Sequence, residues 1–390
     1  MGERRLMLGN EAFCEGAIAA GVRFFAGYPI TPATEIFEAM SRRLPGVGGV
    51  CIQMEDEIAS IHACMGASLV GVKAITATSG IGFSLMQGGL GDAAASEIPI
   101  VVINVQRVGP GAGVATASAQ MDFMQSRWGS NGDYMRIVLA PSTVSEAHSL
   151  TIKAVNFSER FRVPVVILTE LFLGLLRDTV ETPDPGGIEL QERPRPSGPV
   201  DGYLTYDART VNDVPPMADV GSEYRATYFY QNGAWRSTHV PDGYNADEFT
   251  RDKGVQLDFF IRRIHEKVLS HRDEVVMTEA TRTDDAEILV VAYGIMAQVA
   301  KEAVHLARQQ GIRMGLLKLT TVWPFPDAEV RAHAARAKAV IVPEMSRGQL
   351  LGEVGKALNN TGVPILPLQH INTRFITPQE IIALCSAVAR

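Results

Sequence analysis

The sequence predicts an α/β protein made of two open parallel-sheet units in tandem, the first of them doubly wound. Three observations lead there. Over about the first 175 residues, short apolar runs alternate with segments of helical periodicity. Two of the runs, "IPIVVINV" and "VPVVILTEL", are apolar on both faces, as strands covered by helices on each side must be. After an irregular, proline-rich stretch the alternation resumes at Glu287 and runs on through the C-terminal sequence.

Taken in order, "VRFFAGY" reads as a strand and "PATEIFEAMSRRL" as a helix with Pro32 in its first turn and arginines at its end. "GGVCIQM" is the next strand, and "EDEIASIHACMGASLVG" a small-residue helix closed by Gly71. "VKAITATS" leads through a glycine-rich turn to one helix over "FSLMQGGLGDAAA" and then to "IPIVVINV". "YMRIVLA" and "VPVVILTEL" repeat the pattern around the helix "VSEAHSLTIKAVNFSERF". Periodicity is lost in "RDTVETPDPGGIELQERPRPSGPVDGY", where prolines and charges crowd together. Within the irregular stretch that follows, "VNDVPPMADVGSEYRATYFYQNGAWRS" suggests short strands and turns. Its tyrosines and Trp235 favour an ordered arm packed on the rest of the protein. "GVQLDFFIRRIHEKVLSHRDEV" is an amphipathic helix bridging to the second unit. There the strands "EILVVAYG", "IRMGLLKLTTVWPFP", "KAVIVPEM" and "VPILPL" alternate with four helices, the last over "PQEIIALCSAVA".

Composition narrows the function. The chain has 390 residues, 46% hydrophobic and 20% charged, with a net charge of −7. That balance suits a large buried core and disfavours nucleic-acid or anionic-membrane partners, which call for a basic stripe. The opening "MGERRLMLGNEAFCEG" lacks the apolar core of a secretory signal, and no apolar run is long enough to span a membrane. Cys14, Cys51, Cys64 and Cys385 are scattered, which fits a cytoplasmic setting and gives no local metal or iron–sulfur spacing. The eight histidines offer no metal motif either. His62, inside a helix, reads as packed rather than catalytic.

Three stretches could carry chemistry. In "MEDEIASIHACMGAS", Glu57 opens a helix near its apolar stripe, where a core-facing acid would have a raised pKa; the competing reading is three solvated first-turn acids. In "TATSGIGFSLM", Thr78, Ser79 and Gly80 sit where a buried strand hands over to a helix, a place open sheets use for anionic ligands or simply for close packing. In "INVQRVGPGAG", Arg107 leaves a buried strand ahead of a Gly-Pro-Gly turn, placed either to clamp a carboxylate or to pair with a neighbouring acid.

These stretches, with "GYPITPATEI", "TVWPFP" and "VPEMSRGQL", resemble the alpha subunit of 2-oxoacid:ferredoxin oxidoreductases, especially the 2-oxoglutarate and branched-chain types. The resemblance covers nearly the whole chain. It implies a pyrimidine-type thiamine-diphosphate-binding domain (1–178), an irregular connecting arm (179–255), a bridging helix (256–285) and a transketolase C-terminal-like domain (286–390). By similarity, Glu57 is the acid that hydrogen-bonds the aminopyrimidine of thiamine diphosphate. Thr31 aims its hydroxyl at the reacting 2-oxo group from the corner built by Tyr28, Pro29 and Pro32. Arg107 matches the arginine that binds the substrate carboxylate, and Thr78, Ser79 and Gly80 line the cofactor pocket.

The implied reaction is decarboxylation of a 2-oxoacid with coenzyme A to acyl-CoA and CO₂, electrons passing singly to ferredoxin, with reversal open. A beta subunit would supply the Mg²⁺–diphosphate half and an iron–sulfur cluster, with gamma, delta or ferredoxin-like subunits in some members. An (αβ)₂ or larger assembly is expected, and no metal is expected on this chain. After Arg107 the run "RVGPGAGVATASAQMDF" is nearer the branched-chain type, and Val108 and residues 113–119 offer no cation for a second carboxylate. Arg127 is a candidate for that role, or a helix-end surface residue. 2-Oxoglutarate is favoured, with a branched or aryl 2-oxoacid as the alternative substrate. The rival classes are an E1 beta-like dehydrogenase subunit and a non-catalytic scaffold.

Overall fold

The computed structural model of the protein describes residues 3–228 and 237–385. Strand β1 (Glu3–Leu8) and helix α1 (Gly9–Ala19) precede β2 (Phe24–Gly27), α2 (Thr34–Arg43) and β3 (Val50–Gln53). Then come α3 (Glu57–Leu69), β4 (Ala74–Thr78), α4 (Ile81–Leu85), α5 (Gln87–Ala95) and β5 (Ile100–Val108). β6 (Val114–Ser118), α6 (Phe123–Trp128), β7 (Ile137–Leu139), α7 (Val144–Phe161) and β8 (Pro164–Glu170) complete the first sheet's own segment. α8 (Leu171–Leu175), β9 (Arg177–Thr182), α9 (Ala246–Arg251), α10 (Lys253–Leu269) and α11 (Arg272–Val275) connect the two sheets. The chain segment of the second unit contains β10 (Thr278–Thr281), β11 (Ile288–Tyr293), α12 (Gly294–Gln309), β12 (Met314–Leu319) and β13 (Thr321–Trp323). It continues with α13 (Asp327–Ala334), β14 (Ala339–Glu344), α14 (Gln349–Ala357), β15 (Ile365–Gln369) and α15 (Pro378–Ala383).

The first sheet runs β13-β7-β8-β5-β4-β2-β3, with β6 paired to the end of β5. From β7 to β3 it is parallel. The chain steps from β2 outward to β3 and returns to β4 on the other side, so the strand order reverses between β2 and β4. Loops leave that switch point in opposite directions and open a crevice at the strands' C-terminal ends. The second sheet runs β10-β12-β11-β14-β15, with its own reversal between β11 and β14. Apolar side chains of both units share one core, Val102, Val138 and Val166 meeting Leu289, Val291 and Leu317.

Several elements depart from the sequence reading. β1 and β9 form an antiparallel ribbon that no long apolar run announces, since charged residues occupy half of it. "FSLMQGGLGDAAA" breaks at Met86 into α4 and α5, and the bridging helix ends at Leu269 before the short α11. The "LLKLTTVW" strand divides at Thr320, and β13 leaves its own unit to pair antiparallel with β7. The short strands expected in "VNDVPPMADVGSEYRATYFYQNGAWRS" are not found among that stretch's described residues, which are turns and irregular chain; Trp235 lies outside the described residues.

Side-chain bonds hold the arm instead. Arg193 forms a buried fork on Glu159, both bonds 2.6 Å, and donates to Ser68 O at 2.6 Å. Tyr206 Oη donates to Ser96 O, and Arg162 to Pro215 O. These anchors sit in helix-to-strand turns, so the arm runs along the end of the sheet opposite the crevice. The bridging helix α10 is fixed there too: Arg263 and Lys267 both bind Glu97, all three fully buried. Among the described residues no helix is long and apolar enough to cross a membrane.

Candidate active site

Asp56 caps α3 by accepting from Ala59 N at 2.7 Å, which sets Glu57 as the first helical residue and turns it inward. Glu57 is only 4% exposed, so the buried reading of the acidic triplet holds. Burial raises its pKa, and the neighbouring Asp56 adds to this against the opposing pull of Arg107. The carboxyl has room because residue 82 is glycine: a Cβ there would overlap the Glu57 carboxyl and Thr78 Oγ1. His62 is exposed, its Nδ1 against Ile58 O at 2.7 Å, where a packed residue was expected.

The Tyr28–Pro32 corner leaves β2 at the switch point, with a cis peptide between Thr31 and Pro32. Tyr28 and Thr31 are exposed and Pro29 half-buried. Arg107, at the end of β5 and one strand beyond β4, donates from Nη1 to Thr31 O at 2.7 Å. One guanidinium edge therefore fastens the corner. Gly80 takes φ 54° and ψ −117°, and a Cβ there would stand 2.8 Å from Arg107 Nε. The absent side chain thus lets the arginine pass close against the turn at the end of β4.

Arg107 and Gly80 line a cavity of about 510 Å³ whose other walls include Asp122, Gln125, Arg347 and Gln349. Thr78 and Ser79 are fully buried behind Gly80 and do not line it; nor do Glu57 and the Tyr28–Thr31 corner, which Arg107 reaches through Thr31 O. Thr78 Oγ1, Ser79 Oγ and Arg107 Nε have no hydrogen-bond partner among the described residues, leaving polar capacity at the crevice. Arg127 is no part of the cavity: it donates to Tyr134 O at 2.6 Å and stacks on Trp128, so it is the helix-end residue of the two readings.

Asp122 is a site residue the sequence reading missed. Its N–H donates to Gln106 Oε1 and its carboxylate accepts from Asn104 Nδ2, both 3.0 Å. Burial lifts its pKa to about 6 against the lowering influence of Asn104 and Arg107. The available signal was the pair of polar residues, Asn104 and Gln106, inside an otherwise apolar strand. Arg347 was missed as well, although it lies just beyond the C-terminal end of the "AVIVPE" strand of the second sheet. Among the described residues no His, Cys, Asp and Glu group is placed to hold a metal ion.

Two open sheets, an inward acid at one helix start and an arginine whose side chain reaches the switch-point corner define the architecture of a thiamine-diphosphate-type enzyme subunit. A split-gene transketolase chain shares this fold with a TM-score of 0.55 at 12% identity. Residues 15–245 match the family described as pyruvate flavodoxin/ferredoxin oxidoreductase, thiamine-diphosphate-binding, and residues 286–381 match pyruvate:ferredoxin oxidoreductase core domain II. The chain belongs to the 2-oxoacid:ferredoxin oxidoreductase alpha-subunit family.

It is 41% identical to the 2-oxoglutarate synthase subunit KorA of Methanothermobacter thermautotrophicus, over 98% of both chains. It is 43% identical to the KorA subunit of Methanocaldococcus jannaschii, over 96% of this chain and 97% of that one. Among solved structures it resembles a 2-oxoglutarate:ferredoxin oxidoreductase from Magnetococcus marinus with 2-oxoglutarate, coenzyme A and succinyl-CoA bound. The TM-score is 0.89 at 30% identity, over all of this chain and 66% of that one.

Proposed function

We propose that this chain is the alpha subunit of a 2-oxoglutarate:ferredoxin oxidoreductase. With coenzyme A it converts the 2-oxoacid to acyl-CoA and CO₂ and passes two electrons, one at a time, to ferredoxin. The observation that carries the reading is that an inward, pKa-raised Glu57 after β3 and Arg107 at the end of β5 flank the β2/β4 switch point from its two sides, Arg107 reaching the β2 corner at Thr31 O. The substrate preference follows relatives at 41% and 43% identity that are 2-oxoglutarate synthase subunits, against 34% for ketoisovalerate oxidoreductase subunits.

The residues fit the aminopyrimidine half of thiamine diphosphate: a proton-sharing acid, and orphaned hydroxyls of Thr78 and Ser79 behind it. When bound, the cofactor supplies the carbanion stabilisation that decarboxylation needs. Glu57 would hold and share a proton at the ring nitrogen it faces. Arg107 would bind the carboxylate lost as CO₂ and, through Thr31 O, keep the Thr31 hydroxyl at the 2-oxo group.

The diphosphate, its Mg²⁺ and an iron–sulfur cluster belong to a beta subunit in this reading. Exposed Tyr28, Ile52, Ile58, Ile81 and Leu85, in the segments around Glu57 and the crevice, give that subunit an apolar face to cover. An (αβ)₂ or larger assembly, with gamma or delta subunits open, follows from a half-site. The domain division at 178, 255 and 285 is part of the proposal, as is a cytoplasmic setting that keeps Cys14 and Cys64 reduced. The test is co-purification with the beta subunit and a dye- or ferredoxin-reduction assay. Reduction that needs 2-oxoglutarate, coenzyme A and thiamine diphosphate together is expected; no reduction with any 2-oxoacid would reject the assignment.

A further inference from the structure

We infer that Arg347 recognises the distal carboxylate of the substrate and so sets the preference for a dicarboxylic 2-oxoacid. The inference rests on the reading of Arg107 as the clamp for the reacting carboxylate and deepens it.

Arg347 follows β14, beside the reversal between β11 and β14, which is the switch point of the second sheet. Open sheets bind ligands in the crevice at that position. Here the first unit partly fills it. Gln120 exchanges two bonds with Met345, N to O at 2.9 Å and Oε1 from N at 3.3 Å, and its Nε2 donates to Glu170 and Tyr293 O. What remains of the second crevice opens into the same cavity that Arg107 lines.

The backbone on both sides of Arg347 is fixed. Ser346 Oγ donates to the Glu344 carboxylate, which also accepts from Leu350 N at 3.0 Å. Gln349 bridges to the first unit, accepting from Met124 N at 2.9 Å and donating to Met121 O at 2.5 Å. Yet the Arg347 side chain is exposed and has no hydrogen bond or ion pair among the described residues. A cation on a rigid mount, facing a cavity and unengaged, is arranged for a ligand anion.

The cavity's charges favour a dianion. Arg107 and Arg347 face it from opposite units, and the one lining carboxyl, Asp122, is already bonded to Asn104. A substrate with a single carboxylate would leave the Arg347 side unmatched. The small residues after Arg107 supply no cation, and Arg127 is committed to Tyr134, so the second positive charge comes from the other domain.

The test uses the holoenzyme and compares kcat/KM for 2-oxoglutarate and 2-oxobutyrate in wild type, Arg347→Ala and Arg347→Lys. A charge-assisted bond of ordinary strength predicts that the 2-oxoglutarate to 2-oxobutyrate ratio falls about 10- to 100-fold in Arg347→Ala, with Arg347→Lys in between. A ratio within twofold of wild type, or a rise in the KM for coenzyme A with no change in the ratio, overturns the inference. In the second case the arginine reads the coenzyme's phosphates. Wild-type turnover of both 2-oxoacids keeps the family reading standing whatever the variants show; absence of wild-type turnover would reject that reading itself.

Discussion

Replacing Gly82 with alanine separates the geometry of the acid from the stability of the fold. The new Cβ would lie 2.7 Å from Glu57 Cδ, where ordinary contact begins at 3.4 Å. The carboxyl must therefore retreat by about 1 Å, since carbon atoms settle near 3.5–4.0 Å. Thr78 Oγ1 is displaced in the same way. Both are free ends of side chains, so the helix has no reason to unfold, and alanine is the better helix former by roughly 1 kcal/mol. The hydrogen bond from Glu57 to its ligand does not survive such a shift, and a misplacement of that size lowers turnover by about 10²-fold. The assay is steady-state turnover of the αβ enzyme, with thermal midpoint recorded on the same preparation. The expected result is kcat down about a hundredfold with a midpoint within a few degrees of wild type. A kcat within twofold of wild type would show that the Glu57 carboxyl does not work where the structure places it. Joint loss of activity and fold would show that Gly82 serves packing.

Other variants probe separate parts of the argument. Glu57→Gln keeps the shape but removes the shared proton; turnover should fall about 10²- to 10⁴-fold with subunit assembly unchanged by size-exclusion chromatography. Asp122, with a pKa raised by burial to about 6, is neutral below that pH and negative above it. Substrate KM should therefore rise as pH passes upward through about 6, and Asp122→Asn should flatten that step and lower KM at pH 7–8. Burial works against the charge of Glu97, but Arg263, Lys267 and Arg162 more than offset this and hold its pKa below the usual carboxylate range. Its folded pKa is lowered, so its contribution is full above about pH 4.5 and is lost as pH falls. Glu97→Gln leaves buried cations uncompensated and should cost about 3–5 kcal/mol in urea unfolding at pH 7.

What the sequence disclosed follows from what makes a local pattern. β5 and β8 were legible because nine and seven consecutive residues are buried and most of them are apolar on both faces, the exceptions being Asn104, Gln106, Arg107, Thr169 and Glu170 towards the strands' C-terminal ends. Glu57 was legible because a helix start and an apolar stripe coincide there. The β1–β9 ribbon was not, since Met7 and Val180 are the two buried residues among those described in its strands, too few to make a pattern. Asp122 and Arg347 acquire their meaning from partners distant in sequence, Asn104 for the first and the wall of another domain for the second. No window of residues contains that information. The arm illustrates the same limit: Arg193 and Glu159 lie 34 positions apart, and nothing local pairs them.

The transfer of β13 into the first sheet has a consequence for any attempt to divide this protein. β7 is only three residues long, and its outer side is closed by Thr321–Trp323 rather than by a neighbour from its own half. A fragment ending before residue 321 would carry that side uncovered, with fully buried Ile137, Val138 and Leu139 beside unpaired amides. Such a margin is a template for another chain. Expression of the N-terminal half alone should therefore yield aggregates rather than a small free domain. Truncations that keep residues through 326 should behave better despite lacking β14 and β15 of the second sheet.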